Sequence, residues 1–435
     1  MSVAITDSPN SLTVKGQPLV WVCTSTNQAQ TGFKFIVVVK NEAGTQIAKY
    51  YIPKNPADVL IFDLQDVVRE GVKTDTVDSQ QSDAIIHTMP HAVDKFMTVA
   101  NTGCKKYTIE FGEVYGDPLV EYFSPLVDED IYLFDGYIQI KDGYQNTLSD
   151  YQPNGGGVKG FLTNRVDSFI PVAGVSRPHI RASESDYGTL AFLNDDGTVI
   201  SSGATKLQYQ IYDSAGLQGT DTFTIGSAYG GESPSSTVAE DKLLYFGALP
   251  GNVNDADHPV NVLYKPSAIT DWAYYTWRLY DTAGTTPQSL PFLVVNTPFP
   301  CKHTPVMVAW TNPLGAWEYL RFDARPAKTL QATSKNYQQT VGTYEGTTFG
   351  YDTFSRQTTP YHVESTKNYT LKSDFLTFEE TELCTYLLKS KNVMMYMGEW
   401  LPIVVSTNSV KYETEQISKR LTVELNVELA QREVC

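Results

Sequence analysis

The chain has 435 residues, a formal net charge of −16 at pH 7, 27 tyrosines and five cysteines. This length is enough for about three domains of ~150 residues and for a large hydrophobic core. A surface this acidic repels the phosphate backbone and disfavours high-affinity binding of nucleic acid. No run approaches the ~18 consecutive apolar residues of a membrane span, and the first twenty residues lack the features of a signal peptide.

The cysteines are scattered, odd in number and never spaced C-x-x-C. They are Cys23, Cys104, Cys301, Cys384 and Cys435. This pattern predicts free thiols made in a reducing cytoplasm and no zinc site.

The first part of the chain contains a clear pair of strands. Residues 33–40, FKFIVVVK, form an apolar run that predicts a strand covered on both faces. The turn-forming residues 41–44 follow, and residues 45–52 are predicted to return as the second strand of a hairpin.

A short helix, an irregular stretch and two more strands are predicted next. Residues 63–69 are predicted to form one or two helical turns with Asp63 as the N-cap. Residues 70–97 show no pattern and are interpreted as a long excursion, either a mobile loop or an arm that reaches a neighbour. Strands are predicted again at residues 105–112 and 131–140.

A glycine-rich segment, residues 151–160, is interpreted as a linker or hairpin tip rather than a phosphate-binding loop. The region after it is predicted to contain strands at residues 207–212 and 274–280, and a hairpin formed by residues 190–193 and 198–200.

A strand followed by Asn or Asp, any residue, Ala and Gly occurs three times, at residues 41–44, 213–216 and 281–284. Internal duplication of a sandwich domain and three similar turns both explain this recurrence.

The last third begins after a proline-rich linker at residues 295–305. Residues 305–322 predict strand, turn and strand, with the reversal at residues 312–315. Residues 324–359 are polar and are interpreted as exposed strands or a loop extension.

One helix is predicted, at residues 378–390, where Thr377 and Glu380 match a capping box. Its predicted inward stripe is Leu383, Tyr386 and Leu387. Three strands follow, at residues 393–397, 401–406 and 421–429, and the last alternates regularly between apolar and polar residues.

Together these elements predict an all-β fold, mainly of β-sandwich or β-barrel-like domains, with one short helix in the C-terminal domain. The predicted domains are residues 1–165, which include the excursion at 70–97, residues 166–300 and residues 301–435.

The sequence contains no recognisable catalytic, cofactor-binding or metal-binding motif. His87 and His91 are four apart, but Pro90 lies between them, so a surface loop is preferred to a metal site. Residues 252–257 are rich in Asn and Asp, yet they lack the glycine and the closing Glu of a calcium loop.

Aromatic residues close to one another in sequence are a further candidate, for stacking on sugars. They are Trp272, Tyr274, Tyr275 and Trp277. Alternating Trp and Tyr more often form sheet core or an interface. A carboxylate pair for glycoside hydrolysis stays open, because such residues meet only in space.

Several motifs point to a family. They are YTIEFGEVYG at residues 107–116, FLTNR at 161–165 and the strand at 190–193. Together they resemble recurring elements of β-rich virion proteins of tailed phages, in particular crAss-like and related phages of Bacteroidota.

The C-terminal third resembles this family more strongly. WTNPLGAWEY at residues 310–319 is similar to the family's L-N-x-L-G-G-x-[DE]-[YF] hairpin, from which it departs at Pro313 and Ala316. The predicted helix, the strand at residues 400–405 and the final strand follow in the family's order.

The resemblance implies a neck, tail or tail-hub component that forms a homo-oligomeric ring around the DNA channel. It would contact other neck and tail proteins and no membrane, let DNA pass without holding it, and reside in the virion after assembly in the bacterial cytoplasm. The resemblance implies no catalytic residues in this chain. The alternatives are a receptor- or glycan-binding tail appendage and a polysaccharide-degrading enzyme.

Overall fold

The computed structural model describes residues 3–74, 97–99, 102–137, 148–153, 157–194, 206–225, 242–281, 283–297, 303–344, 346–351, 353–354, 356–374, 376–406, 413–414, 421–431 and 433–434. Strands dominate these residues, and the helices among them are three short segments, which confirms the predicted all-β fold. The chain divides into two compact units, the first Met1–Phe299, Ala309–Leu320 and Lys389–Asn392, the second Pro300–Val308, Arg321–Leu388 and Val393–Cys435.

The first unit contains most of the strands. They are β1 Val3–Asp7, β2 Leu12–Val14, β3 Val20–Ser25, β4 Lys34–Asn41, β5 Gln46–Ile52, β6 Leu60–Asp63, β7 Met97–Val99, β8 Cys104–Tyr115, β9 Val120–Phe134, β10 Ser168–Ile170, β11 Val175–Arg177, β12 His179–Ala182, β13 Thr189–Leu193, β14 Lys206–Asp213, β15 Gly216–Thr224, β16 Leu243–Gly247, β17 Tyr274–Tyr280 and β18 Phe292–Asn296. Two one-turn helices, α1 Gln65–Val68 and α2 Pro250–Val253, also lie here.

These strands form two five-stranded sheets, with the orders β2-β9-β8-β4-β5 and β12-β18-β17-β14-β15. Smaller sheets have the orders β1-β3-β6, β13-β16-β7 and β10-β11. Two of the described pairings, β2 with β9 and β12 with β18, are parallel, and the others in this unit are antiparallel.

The predicted strand at residues 33–40 is confirmed as β4, and the hairpin partner at residues 45–52 is confirmed as β5. Both faces of β4 are covered, because Phe35 and Val37 join one core cluster while Ile36 and Val38 join another. Burial on both faces explains why the sequence here is an unbroken apolar run.

The strands predicted at residues 105–112 and 131–140 are two arms of one longer hairpin, β8 and β9. The start of β9 at Val120 was missed, because residues 120–130 contain a proline and several acidic residues and lack a clear alternation. Pairing with β8 supplies the backbone hydrogen bonds that the local pattern does not indicate. The structure ends β9 at Phe134, so the prediction of a strand to residue 140 is wrong for residues 135–137, and residues 138–140 lie outside the described residues.

The helical turn predicted at residues 63–69 is present as α1, but the predicted N-cap is wrong by one residue. Leu64 occupies the cap position without a side-chain hydrogen bond. The Asp63 carboxylate accepts hydrogen bonds from the backbone N–H groups of Leu19 and Gln65, each at 3.0 Å. Although it lies one residue before the cap position, Asp63 therefore satisfies the N–H of the first residue of α1 and ties the helix to the residue before β3.

The three recurrent Asn/Asp-x-Ala-Gly segments share hydrogen bonds from the backbone to the first side chain, and two of them share the conformation of the glycine. The side-chain oxygens of Asn41, Asp213 and Asp281 each accept a backbone N–H from two to five residues later. The glycines at 44 and 284 have φ near +73°, a conformation that disfavours other residues. Similar turn chemistry accounts for the recurrence, and the duplication hypothesis stays a prediction.

Two strands, β19 Val306–Thr311 and β20 Trp317–Phe322, have residues in both units and confirm the predicted strand, turn and strand. Every residue of both strands is buried. In the reversal, the Asn312 side-chain oxygen accepts the N–H groups of Leu314 and Ala316, each at 3.0 Å.

The second unit contains the remaining strands and the helix α3 Phe378–Lys389, whose last residue lies in the first unit. These strands are β21 Ala327–Gln338, β22 Thr343–Tyr344, β23 Phe349–Gly350, β24 Thr358–Lys372, β25 Val393–Tyr396, β26 Trp400–Val405, β27 Glu413–Thr414, β28 Leu421–Thr422, β29 Glu424–Leu429 and β30 Glu433–Val434. Five of them are neighbours in the antiparallel order β25-β26-β29-β24-β21, and β30 also pairs with β24.

The predicted helix is confirmed together with its capping box. Backbone N–H of Thr377 donates to the Glu380 carboxylate at 2.9 Å, and N–H of Glu380 donates to the Thr377 hydroxyl at 3.2 Å. The predicted inward stripe of Leu383, Tyr386 and Leu387 is buried. Reciprocal capping satisfies two N–H groups that the first turn leaves without intrahelical partners.

The final strand also follows its predicted alternation. Val423, Leu425 and Val427 are each 1% exposed, whereas Glu424 and Asn426 are exposed. β29 begins at Glu424, and N–H of Val423 donates to the Ser373 hydroxyl instead of continuing the strand.

The predicted boundary at residue 165 lies within the first unit, and the one at residue 300 coincides with the start of the second. The three-domain division stays a prediction. Predictions for residues 75–96, with His87 and His91, for residues 155–156 and 198–200, and for Cys301 and Cys435 lie outside the described residues. Within the described part of the chain, no helix has the length and apolar character needed to cross a bilayer.

Candidate functional site

Three of the sequence motifs meet in one buried polar network of the first unit. The FLTNR segment contributes Arg165, the hairpin between β19 and β20 contributes Glu318, and β13 contributes Thr189. The Arg165 and Glu318 side chains are each 4% exposed, and their Nε and Oε1 atoms lie 2.7 Å apart. A buried ion pair of this kind requires that its remaining donors and acceptors also find partners.

Those partners are present. The Arg165 guanidinium also donates to the backbone carbonyls of His179, at 2.8 Å, and Tyr319. The second Glu318 oxygen accepts the Thr163 hydroxyl at 2.7 Å. The Asn312 side-chain amide donates to the carbonyl of Leu162 at 2.9 Å.

The Tyr319 hydroxyl completes the network on the β13 side. It accepts the backbone N–H of Thr189 at 3.0 Å and lies 2.8 Å from the Thr189 hydroxyl. Burial raises the pKa of this phenol, so it stays protonated. The network holds distant segments of the unit together, and its groups are already engaged with one another. The FLTNR segment and the hairpin at residues 310–319 therefore have a structural role here.

The aromatic residues considered for sugar stacking belong mainly to the core. Trp272, Tyr275 and Trp277 are at most 2% exposed. The Tyr275 hydroxyl and the Trp277 indole N–H both donate to the carbonyl of Ala248, at 2.8 and 3.0 Å. Tyr274 is half-buried and stacks on Tyr212 at 4.6 Å between ring centres. The sheet-core interpretation is confirmed for the three buried rings.

The Asn- and Asp-rich segment at residues 252–257 is also tied into the fold. Asn252 is buried, and its side-chain oxygen accepts N–H of Gly188 at 2.8 Å. Among the residues that the structure describes, no group of three or more His, Cys, Asp or Glu side chains is placed to hold a metal ion. Cys23, Cys104 and Cys384 are buried thiols outside any disulfide. The cysteine pattern predicted thiols instead of disulfides, and it did not predict their burial.

Each of the four buried carboxylates in the described part of the chain accepts a hydrogen bond. They are Glu113, Asp186, Glu318 and Glu380. Glu113 accepts from the Ser25 hydroxyl and the Asn27 amide, both at 2.6 Å, and Asp186 accepts N–H of Ser183 at 2.7 Å. These hydrogen bonds replace the water that each buried carboxylate has lost, and they stabilise the neighbouring turns and strands.

A buried histidine, which the sequence analysis did not single out, lies beside Trp277 in the core of the first unit. The Nε2 atom of His258 donates to the carbonyl of Gly247 at 3.0 Å, and Nδ1 accepts N–H of Val260 at 3.4 Å. The bond to Nδ1 requires the neutral ring, because a protonated ring has no acceptor nitrogen, whereas the Nε2–H donor is present in both forms. Burial, with a smaller contribution from Lys265, lowers the pKa of His258 from 6.5 to about 3.

This histidine predicts a loss of stability in acid. Below pH 6.5 the unfolded chain takes up a proton on His258, whereas the folded protein does not. The stabilising contribution of the neutral His258 is therefore complete above pH 6.5 and falls as the pH drops towards about 3. We expect the free energy of unfolding of the native protein, relative to His258→Gln, to fall by about 1.4 kcal/mol per pH unit. Urea titrations at pH 6.5 and pH 5 measure this difference, and equal differences at the two values would contradict it.

An exposed ribbon of the second unit is formed by β21, β24 and the residues between them, 327–372. Its base belongs to the larger sheet, because the end of β24 also pairs with β29 and β30, and among the described strands only its outer part is two-stranded. The strands pair from Ala327 with Thr370 to Gln338 with Thr358, a length of about 40 Å. All twelve residues of β21 are exposed. This confirms the prediction of exposed strands for residues 324–359.

Aromatic side chains are concentrated on the outer part of the ribbon. Of the ten exposed Tyr and Phe residues in the described part of the chain, six lie between residues 337 and 361. The four beyond the long strand pair, here called the aromatic tip, are Tyr344, Phe349, Tyr351 and Phe354. They are 66%, 47%, 74% and 82% exposed, and the Phe349 and Tyr351 rings pack edge to face at 5.0 Å. A concentration of exposed rings marks an interaction surface.

The strand edges of the ribbon are protected against adding another strand. β24 is the one described strand that pairs with β21, which leaves the other edge of β21 open. Lys328 and Lys335 lie on β21, and its register shifts between Lys335 and Asn336. Lysines and bulges on an edge strand hinder pairing with another chain. The ribbon is therefore suited to contact a partner through the rings of the aromatic tip.

The ribbon also differs in charge from the rest of the protein. Residues 327–372 contain five Lys and Arg and three Asp and Glu, a net charge of +2. Because the whole chain carries −16, the residues outside the ribbon carry −18.

Comparisons with known proteins identify no family. No family model matches the chain, and no curated protein matches it. Salmonella alpha-2-macroglobulin reacted with methylamine is 6% identical, with a TM-score of 0.18 over 98% of this chain and 23% of that one. E. coli alpha-2-macroglobulin in its native conformation is 5% identical, with a TM-score of 0.19 over 100% and 31%. The chain spans less than half of these proteins, and similarity this low indicates neither fold nor function.

Proposed function

We propose that this chain is a structural virion protein of a tailed bacteriophage, a subunit that forms an oligomeric ring in the neck or tail around the DNA channel. The observation that carries the proposal is the aromatic tip of an exposed two-stranded ribbon. Beyond the residues that pair with β29 and β30, the ribbon has two strands, and two strands without further support are at best marginally stable in water. A surface that packs against this outer part therefore adds stability.

Ring formation follows from the kind of contact that the ribbon favours. A positively charged ribbon on one copy and an acidic surface on the next form a head-to-tail contact, in which two different surfaces meet. Repetition of such a contact closes into a ring when the rotation between copies is a whole fraction of a turn. Exposed aromatic rings provide the large apolar anchors that dominate the energy of many protein interfaces.

The acidic charge outside the ribbon is compatible with a channel for DNA. A wall of negative charge repels phosphate groups, so DNA passes through without being held. Contacts with other neck or tail proteins would complete the assembly in the virion, after synthesis in the bacterial cytoplasm. This function uses shape and self-contact, and it requires no catalytic residue, metal or cofactor.

The assignment to a phage particle relies on the resemblance of the motifs at residues 107–116, 161–165, 190–193 and 310–319. Two of these motifs, with the strand that contains a third, meet in the Arg165–Glu318 network. A role in holding the fold is a physical reason for related proteins to share them, and it supports the resemblance.

The oligomeric state of the purified full-length chain tests the proposal. We expect light scattering after size-exclusion chromatography to give one discrete mass of several subunits, and negative-stain electron microscopy to show closed rings with a central opening. A protein that stays monomeric across the concentrations used for microscopy, and shows no rings, would contradict the proposal.

A receptor- or glycan-binding tail appendage is the second candidate, because the aromatic tip also presents rings that stack on sugars. This candidate predicts trimers and binding to bacterial surface polysaccharide that Tyr351→Ser weakens without changing the oligomeric state. The ring proposal predicts the reverse, that substitutions in the tip change the oligomeric state. A glycan array with no signal removes the support for the appendage.

A further inference from the structure

A cavity of about 290 Å³ in the first unit is lined by more positive than negative side chains, although the chain as a whole is strongly acidic. Its cations are Lys15, Arg69, Lys389 and Lys391, and its one carboxylate is Asp135. All of the lining residues belong to the same unit. The volume is close to the lower end of the ~300–1,000 Å³ that is common for small-ligand sites.

The single carboxylate is already engaged. The Asp135 oxygens contact Lys15 Nζ at 2.5 Å and the Thr74 hydroxyl. Lys15 Nζ also donates to the carbonyl of Val72 at 2.6 Å. Lys15 and Asp135 therefore neutralise each other, and the side chains of this pair are each only 15% exposed.

Three cations remain after this pair. Arg69, Lys389 and Lys391 form no ion pair with any residue that the structure describes. They are exposed at the cavity and approach it from α1, from the end of α3 and from the residues that follow α3. Three like charges around one cavity repel one another, and an anion bound between them removes this repulsion.

The walls that carry these cations are fixed by backbone contacts. N–H of Thr311 donates to the carbonyl of Asn392 at 3.2 Å, and the Thr311 and Ser390 hydroxyls lie 2.9 Å apart. Tyr137 also lines the cavity, and its backbone N–H donates to the carbonyl of Pro313 at 2.9 Å. A Cβ atom at Gly136 would approach the same carbonyl to 2.2 Å, so this wall requires glycine. A preformed wall lowers the entropy lost when a ligand binds.

We propose that this cavity binds a small phosphate compound, with Arg69, Lys389 and Lys391 as the ligand's cationic partners. Arginine donates in pairs to phosphate oxygens, and lysine adds point charges. The polar side chains of Gln65 and Asn392 line the same cavity and add hydrogen-bonding groups. The proposal does not depend on the ring function, because every residue it uses lies in one copy of the chain.

Calorimetric titration of the full chain with sodium pyrophosphate and with inorganic phosphate, at constant ionic strength, tests this site. We expect saturable binding to the native protein, and a loss of affinity of about ten- to a hundredfold for Arg69→Gln and for Lys391→Gln. Lys34→Gln is the matched control, because Lys34 is an exposed cation of the same unit outside the cavity. Its affinity is expected to equal that of the native protein.

Three results would overturn the proposal. One is heat of binding that sodium chloride reproduces at equal ionic strength. Another is equal loss of affinity in the Lys34 control. The third is binding of duplex DNA, at equal phosphate concentration, that exceeds pyrophosphate binding and is lost in the same variants, which would assign the site to nucleic acid. Unfolding midpoints measured without ligand show whether each variant is folded, and substitution of these exposed side chains is expected to leave the midpoints close to that of the native protein.

Discussion

Replacement of three tip aromatics, Tyr344→Ser, Tyr351→Ser and Phe354→Ser together, is expected to convert the oligomer into monomers. Each side chain is at least 66% exposed in the single chain, so its truncation leaves the fold intact. An aromatic anchor at the centre of an interface contributes about 2 kcal/mol or more, which is about thirtyfold in Kd for each ring. Light scattering after size-exclusion chromatography, over a range of protein concentrations, measures the change.

A matched control is available in the first unit. Val262 and Leu263 are 70% and 69% exposed and lie far from the ribbon in sequence. We expect the double variant Val262→Ser and Leu263→Ser to keep the native mass. An oligomer that persists in the tip variant, or that dissociates equally in the control, would show that the ribbon does not hold the assembly together.

The largest effect on stability is expected from Arg165→Met. This substitution leaves the Glu318 carboxylate buried without its cation and removes the donor to the carbonyls of His179 and Tyr319. Breaking one partner of a buried ion pair costs about 3–5 kcal/mol, most of it from the charge that stays buried. Chemical denaturation followed by tryptophan fluorescence measures the free energy of unfolding.

Two further variants separate this mechanism from a general loss of packing. The double variant Arg165→Met and Glu318→Leu removes both charges, so we expect it to be more stable than Arg165→Met alone. Glu424→Gln breaks an exposed pair with Lys372, 2.8 Å apart and about half-exposed on each side, and is expected to cost at most about 1 kcal/mol. If the double variant is less stable than Arg165→Met, the buried charge is not the cause.

Several elements were predictable because their signals are local. The capping box of Thr377 and Glu380 and the alternation of β29 depend on residues close in sequence, and both are present in the structure. The apolar run in β4 likewise indicated a strand covered on both faces. The first half of β9 was missed, because its place in a hairpin is decided by pairing with β8.

The candidate sites depended more on contacts between distant segments. Nothing local in FLTNR indicates that Arg165 pairs with a glutamate more than 150 positions later. The cation-lined cavity contains Lys15, Arg69 and Lys391, which come from separate parts of the chain. No sequence motif predicts that these residues lie close together. The residues next to Trp272 and Trp277 in sequence are compatible with a sugar-binding surface and with a buried core. The burial of both side chains in the structure shows that they belong to the core.

By itself the sequence determined the all-β class, the position of the helix and the polar, exposed character of residues 324–359, because backbone propensity and periodicity act over a few residues. Only the tertiary structure decided that FLTNR and the hairpin at residues 310–319 form a buried ion-pair network, that exposed rings gather at the end of one ribbon, and that three cations share a cavity. Burial, pairing and charge proximity are properties of residues brought together by folding. They depend on distances in space that the order of residues does not state.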